Sequence, residues 1–126
     1  MSTSTNRNIL AIGLPIPPQF GDSEKIFAQQ IAAAAEQDLH LDMFLTDMVG
    51  VPVADIIGRL GEKLRSKQYA LICIGFGVRG NQELTEVFEA AVNVCVEVQG
   101  NGVRFGFQTR PDALVETWKR VMGERA

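Results

Sequence analysis

The chain has 126 residues, of which 46% are hydrophobic, and a formal net charge of -3 at pH 7. This length supports one hydrophobic core, so we expect a single domain over residues 9–123 after a disordered polar tail at residues 1–8. The mild acidity and the absence of a Lys/Arg run exclude the electrostatic footprint of a nucleic-acid-binding protein. No apolar run approaches the roughly 20 residues of a membrane span, and the polar tail is unlike a secretory signal. These properties predict a cytoplasmic protein without a nucleic-acid or membrane partner.

The first predicted strand is the run Ile9–Leu14, which is apolar apart from Gly13. Apolar residues at nearly every position are typical of a strand buried on both faces of a parallel sheet. A proline-rich loop follows the strand. Asp22 or Ser23 then caps a helix that extends to about Gln37.

The second strand and helix carry more polar residues. Leu41–Thr46 includes Asp42 among apolar side chains, which favours an edge strand. Residues 53–66 repeat apolar side chains at helical spacing and predict the second helix. His40 stands at the amino end of its strand, so we interpret it as a surface residue and not as a catalytic one.

The third strand leads into the glycine turn on which the functional prediction depends. Ala70–Ile74 contains only apolar side chains and predicts a second central strand. Three glycines follow, and we expect them to adopt positive φ and to leave backbone N–H groups pointing outward. Asn81 is suited to cap a third helix over residues 82–98. Arg79, close to that helix N-terminus, adds the positive charge that makes the turn a predicted anion site.

The alternative interpretation of this turn is that it has a structural role and binds no ligand. In that interpretation Arg79 is solvated, or it forms an ion pair with Glu83 or Asp47 that only holds the turn in place. A glycine-rich connection between a strand and a helix is common, so the pattern alone does not separate the two interpretations.

The third helix has an unusually wide apolar surface. Its apolar residues cover an arc of roughly 200°, about twice the width that packing on one sheet requires. The surplus includes Val92 and Val96 on one flank and Val94 on the other. Neighbouring helices or a second copy of the chain must cover it, and we hold a homodimer through this helix as a hypothesis.

The two cysteines, Cys73 and Cys95, are the only ones in the chain. Cys73 falls inside the third strand and Cys95 on the apolar face of the third helix. Both are expected to be small core residues in a reducing compartment and not to form a disulfide.

The chain ends with a fourth strand and a fourth helix. Val103–Gln108 alternates apolar with other residues, so this strand has one less protected face. The last helix is expected to begin near Thr109, with Pro111 in its first turn, and to end at Gly123.

Four alternations of strand and helix predict an α/β fold, a three-layer sandwich with a four-stranded parallel sheet. The two apolar strands belong in the middle, which gives the order 2-1-3-4 of a flavodoxin-like or Rossmann-like sheet. Ligands bind such sheets where the chain reverses direction, at the carboxyl ends of strands one and three. The expected cleft is therefore lined by residues 14–22 on one side and 75–81 on the other.

Known chemistries of this fold leave the cleft without an assigned catalyst. The first strand lacks the G-x-G-x-x-G turn of a dinucleotide site, and the glycine turn lacks the Ser or Cys of a nucleophile elbow. No metal-ligand spacing is present, so no metal is expected and any cofactor is unknown. The candidate ligand-binding residues are Gly75, Gly77, Arg79, Gly80, Asn81, Asp22, Asp47 and Arg110.

Three functions remain open from the residues. The leading hypothesis is a protein that binds a small anionic ligand at the glycine turn. The first alternative is a non-catalytic homodimeric interaction module that uses the apolar face of the third helix. The second alternative is an enzyme of hydrolase or isomerase type that uses Asp22 or Glu83 as an acid or base.

The second half of the chain resembles a set of short, uncharacterised α/β proteins from bacteria and fungi. They share the pattern G-x-G-x-R, then F-E-x-x-V-N in the next helix, then F-N-T-S-P after the last strand. The matching positions are Gly75, Gly77, Arg79, Phe88, Glu89, Val92, Asn93, Phe107, Thr109 and Pro111, and the chain departs from the pattern at Gln108 and Arg110. The resemblance implies the fold and the importance of the turn, and it implies no activity.

Overall fold

The computed structural model describes residues 6–15, 21–108, 110 and 113–123. Within them, four strands form one parallel sheet in the order β2-β1-β3-β4, as predicted. The strands are β1 (Asn8–Gly13), β2 (His40–Leu45), β3 (Leu71–Gly75) and β4 (Arg104–Gln108). Residues 1–5 of the predicted tail lie outside the described residues, whereas Asn8 is already the first residue of β1.

Helices cover both faces of the sheet and make it the middle of three layers. The helices are α1 (Ser23–Glu36), α2 (Val53–Ser66), α3 (Phe76–Arg79), α4 (Thr85–Gln99) and α5 (Leu114–Met122). One core cluster joins one face of the sheet to α2 and α4, and a second joins the other face to α1 and α5. The predicted first turn of the last helix falls on residues that are mostly outside those described.

The apolar strands are central because they have apolar side chains on both faces. Successive side chains of a strand point to opposite faces of the sheet. In β1, Leu10 and Ile12 belong to the cluster under α2 and α4, while Ile9 and Ala11 belong to the cluster under α1 and α5. An edge strand needs less of this two-sided burial, and β2 accordingly carries the partly exposed Asp42.

The glycine turn differs from its prediction in backbone conformation. None of Gly75, Gly77 and Gly80 has positive φ. The chain instead continues from β3 straight into the single helical turn α3, and the Gly80 N–H donates to the carbonyl of Phe76 at 2.6 Å. A right-handed helical turn requires negative φ, so the expectation of positive φ at these glycines is wrong.

The predicted third helix begins later than expected. A 3-10 turn spans Gln82–Leu84, and α4 starts at Thr85. Asn81 caps the 3-10 turn, because its side-chain oxygen accepts the Glu83 N–H at 2.9 Å. The helix then extends to Gln99, one residue beyond the predicted end.

The wide apolar arc of α4 is largely covered inside the chain. Val87, Ala91 and Cys95 are buried in the core cluster that α4 shares with α2. Val92 and Val94 are partly buried against the same cluster, so both flanks already have neighbours. Of the three valines assigned to the surplus, Val96 alone is exposed, with 46% of its surface accessible.

Candidate functional site

Arg79, the last residue of α3, extends toward β4. Its guanidinium carbon lies 5.1 Å from the ring centroid of Phe76 and 5.5 Å from that of Phe107, within the range of cation–π attraction. The Nη2 atom donates a long hydrogen bond of 3.5 Å to the carbonyl oxygen of Gln108. The guanidinium is therefore positioned mainly by two aromatic rings.

The guanidinium of Arg79 has unused hydrogen-bonding capacity. Its Nε atom is buried and has no hydrogen-bond partner among the described residues. Within the described part of the chain, the ion pairs involve Lys67 with Asp42 and Arg110 with Glu116, and none involves Arg79. The ion pair with Glu83 or Asp47, one of the two forms of the structural alternative, is thus not formed.

Gly80 permits the position of the Phe76 ring. A Cβ atom at Gly80 would lie 2.7 Å from Cζ of Phe76 and 2.9 Å from its carbonyl oxygen, closer than real contacts allow. A Cβ atom at Gly75 or Gly77 would meet its nearest neighbour at 3.6 Å or 3.4 Å, which is ordinary contact. Gly80 is therefore the glycine that the turn requires on steric grounds, because Phe76 folds back against it.

Helix termini add little positive charge to this site. A helix of four residues has only a small macrodipole, because the dipole sums over aligned peptide units. The start of α4 is preceded by Glu83 and carries Glu86 in its first turn, and both carboxylates offset the positive helix end. The positive charge of the turn therefore rests on Arg79 alone.

Three other candidate residues already have partners within the fold. Asp22 caps α1, with its carboxylate accepting the N–H groups of Glu24 and Lys25 at 3.0 and 3.3 Å. Asn81 caps the 3-10 turn as described above. Arg110 forms an exposed ion pair with Glu116, whose oxygen lies 2.9 Å from Nη2.

The structure does not bring Asp47 to Arg79. Asp47 follows β2, which is separated from β3 by β1, and two strand spacings amount to about 10 Å. Arg79 moreover points the other way, toward β4. Residues 16–20, which belong to the predicted cleft between the first and third strands, lie outside the described residues. The cation is consequently found at the β3–β4 side of the sheet and not at the predicted reversal point.

A separate cleft of about 190 Å³ lies between the β2–α2 loop and the start of α4. Its lining residues are Met48, Val49, Gly50, Val51, Val53, Glu83, Leu84, Glu86 and Val87. The lining is mostly apolar with two carboxylates, so this cleft disfavours anions. It does not coincide with the cleft expected from the sequence.

The candidate site contains aromatic residues that the residue pattern did not predict. Neither Phe76 nor Phe107 is among the candidate ligand-binding residues that the sequence predicts. A signal did exist, because Arg79, Phe88 and Phe107 are all positions of the resemblance pattern and come from three different elements. They meet here, with Phe88 and Phe107 in an edge-to-face contact at 6.3 Å between ring centroids.

The two thiols are buried, and the described acidic residues are not grouped as metal ligands. Burial raises the pKa of the Cys73 thiol and that of the Cys95 thiol to about 12, so both stay protonated near neutral pH. Both cysteines are free. Among the described residues, no group of three or more His, Cys, Asp or Glu side chains is arranged to hold a metal ion.

In that same part of the chain, every helix is too short or too polar to cross a membrane.

No protein-family model and no curated protein sequence matches the chain. The resemblance of the second half to the bacterial and fungal proteins therefore rests on the motif residues themselves. Of those residues, Arg79 and Phe88 both contact Phe107. These contacts assign no activity.

Proposed function

We propose that this protein binds a small anionic ligand at the α3 turn, with Arg79 as the charged contact. The observation that supports this most directly is how few polar partners the guanidinium of Arg79 has among the described residues. Arg79 is held between two rings, has no carboxylate partner among the described residues, and keeps a buried Nε without a hydrogen bond. A buried donor without a partner costs about 1–3 kcal/mol. An anion that accepts charge-assisted hydrogen bonds from the rest of the guanidinium would supply the counter-charge that Arg79 lacks among the described residues.

A purely structural role for Arg79 is the competing explanation. In that case the side chain would serve to tether the α3 turn to the end of β4 through Gln108. The single hydrogen bond of this tether is 3.5 Å long, at the weak end of the range, and the ring of Phe107 adds a cation–π contact. Neither contact supplies a counter-charge for the cation.

Binding of simple anions to matched variants tests the proposal. Wild type, Arg79→Met and Arg65→Met would be screened by thermal shift against phosphate, nucleotides and carboxylates, and hits would be confirmed by NMR titration. Arg65 is exposed on α2, so its replacement removes the same charge at a distance. We expect hits in wild type and Arg65→Met and at least a tenfold weaker affinity in Arg79→Met, the loss of about 1.4 kcal/mol. Affinities unchanged by Arg79→Met would refute the proposal.

The homodimeric module is the second candidate, and exposed apolar side chains on two elements favour it. Val96 on α4 and Phe76 on α3 are both large, apolar and about half exposed.

An enzyme of hydrolase or isomerase type is the third candidate. For that candidate, Glu83 lines the mostly apolar cleft at the start of α4, but Asp22 is engaged as a helix cap. In each case we place the protein in the cytoplasm, where its free cysteines would stay reduced.

A further inference from the structure

Two exposed phenylalanines flank the cation at the end of the sheet. We name the set Phe76, Arg79 and Phe107 the aromatic clamp. Phe76 has 55% of its surface exposed and Phe107 has 39%, although both are large apolar residues that folding usually buries. The clamp thus offers exposed apolar ring surface beside a partly buried positive charge.

The rings of the clamp are held in place by the rest of the fold. Phe107 meets Phe88 of α4 edge to face, with an interplanar angle of 61°. Phe76 lies against Gly80, which has no Cβ to push it away. Rings fixed in this way lose little side-chain entropy when a ligand covers them, so their exposed area is available for binding at low cost.

We propose that the anion bound at Arg79 carries a planar aromatic ring, as an aryl or heteroaryl carboxylate or phosphate does. This inference rests on the proposed function and specifies its ligand class. The anionic group accepts hydrogen bonds from the guanidinium, whose fork matches a carboxylate or phosphate. The ring packs on the exposed surface of Phe76 or Phe107 in an offset or edge-to-face arrangement.

A small anion without a ring would leave the phenyl rings of the clamp uncovered. Phosphate or acetate would engage the charge of Arg79 and leave the exposed phenyl surfaces in water. An aliphatic acid would cover those surfaces without the additional attraction between aromatic rings, which corresponds to roughly a two- to tenfold difference in affinity. The ring geometry therefore discriminates among anions of equal charge.

Three carboxylates of equal charge separate the ligand class from the proposed function. Benzoate, cyclohexanecarboxylate and acetate would be titrated by NMR into wild type, Phe76→Leu, Phe107→Leu and Phe44→Leu. Phe44 lies on β2, at the opposite edge of the sheet, and its replacement removes a ring away from the clamp. Phenyl phosphate and inorganic phosphate form a second pair, which tests whether a ring also favours the binding of a phosphate. Both clamp phenylalanines are exposed enough for leucine to be tolerated.

We expect benzoate to bind wild type and Phe44→Leu two- to tenfold more tightly than cyclohexanecarboxylate, and acetate to bind weakest. In Phe76→Leu or Phe107→Leu, the preference for benzoate should disappear. If the three carboxylates bind equally well and still depend on Arg79, the ligand class is wrong and the proposed function stands. If neither the carboxylates nor the phosphates bind, or if binding does not depend on Arg79, the proposed function fails and this inference fails with it.

Discussion

Asp42 joins the edge strand β2 to the start of β3 through one carboxylate oxygen. This oxygen accepts a hydrogen bond of 2.8 Å from the hydroxyl of Tyr69 and lies 3.0 Å from Nζ of Lys67. Burial disfavours the charged form of Asp42, but the hydrogen bonds from Lys67 and Tyr69 outweigh it and lower the pKa of the carboxyl group. Burial and the same carboxylate raise the pKa of Tyr69.

This geometry predicts a dependence of stability on pH. The pKa of Asp42 is lower in the folded than in the unfolded chain, so its contribution is present above the unfolded pKa and is lost as pH falls through the folded pKa. We expect Asp42→Asn to destabilise the protein by about 1 kcal/mol at pH 7. Below about pH 4, the free energy of unfolding should fall less steeply with pH in this variant than in wild type. Urea unfolding from pH 2 to 7 measures both effects, with the exposed Asp55→Asn as control. An equal acid dependence in Asp42→Asn and wild type would contradict this account.

At the scale of elements, Gln99 links the end of α4 to the end of α2 and the start of β3. Its Nε2 donates to the carbonyls of Leu64 and Lys67 at 2.6 and 3.0 Å. Its Oε1 accepts the N–H of Tyr69 at 2.8 Å. The last carbonyls of a helix lack partners within it, so one buried glutamine satisfies backbone groups of two elements.

We expect Gln99→Leu to destabilise the fold by about 2–4 kcal/mol, because it leaves buried backbone groups without partners. The free energy of unfolding in urea measures this loss. Gln29→Leu, on the exposed part of α1, is the matched control and should change stability by less than about 0.5 kcal/mol. A similar small effect for Gln99→Leu would show that water replaces these hydrogen bonds.

The approach of α5 to β4 depends on a glycine in the strand. A Cβ atom at Gly106 would lie only 2.5 Å from Cγ2 of Thr117 and 3.3 Å from Cγ2 of Val121. We expect Gly106→Ala to cost about 1–3 kcal/mol through overpacking. Thr117→Ser removes the closest methyl group and retains a hydroxyl that donates to the carbonyl of Ala113, as that of Thr117 does at 2.8 Å.

A double-mutant cycle isolates this contact. Combining Gly106→Ala with Thr117→Ser should recover about 1 kcal/mol relative to the sum of the two single effects. Denaturant unfolding of the four proteins gives the coupling energy. Strict additivity would mean that α5 is not held against the strand at this glycine.

At the scale of the whole molecule, the packing of α4 bears on oligomeric state. A stable interface buries about 800 Å² per partner, and most of the apolar arc of α4 is already used by the core shared with α2. We expect wild type and Val96→Glu to sediment with the same mass, near the 13.8 kDa of one chain. The homodimer alternative predicts the opposite, a twofold larger mass for wild type that falls in Val96→Glu.

Asn93→Glu is the control for that comparison, because it adds the same charge at an exposed polar position of the same helix. If Val96→Glu alone lowers the mass, α4 is an interface and the homodimeric module becomes the leading function.

The sheet order and the two central strands could be predicted from the sequence, because burial on both faces demands apolar residues at every position. Ile9–Ile12 and Leu71–Ile74 meet that demand and the other two strands do not. The choice of the glycine turn as a candidate site followed from its residue types and from the resemblance. The backbone conformation of the turn could not be predicted in this way, because glycine is compatible with both signs of φ. Packing selects the helical turn, as the contact of Phe76 with Gly80 illustrates.

The direction of Arg79 was decided by the tertiary structure alone. A flexible side chain in a turn can reach either neighbouring strand, and here the rings of Phe76 and Phe107 draw it to β4. Those two residues are 31 positions apart, and nothing local relates them. The sequence by itself thus determined the fold and the strand that leads to the candidate site, since both follow from local patterns of burial. The surroundings of the cation depend on contacts between distant elements, and only the folded chain brings these together.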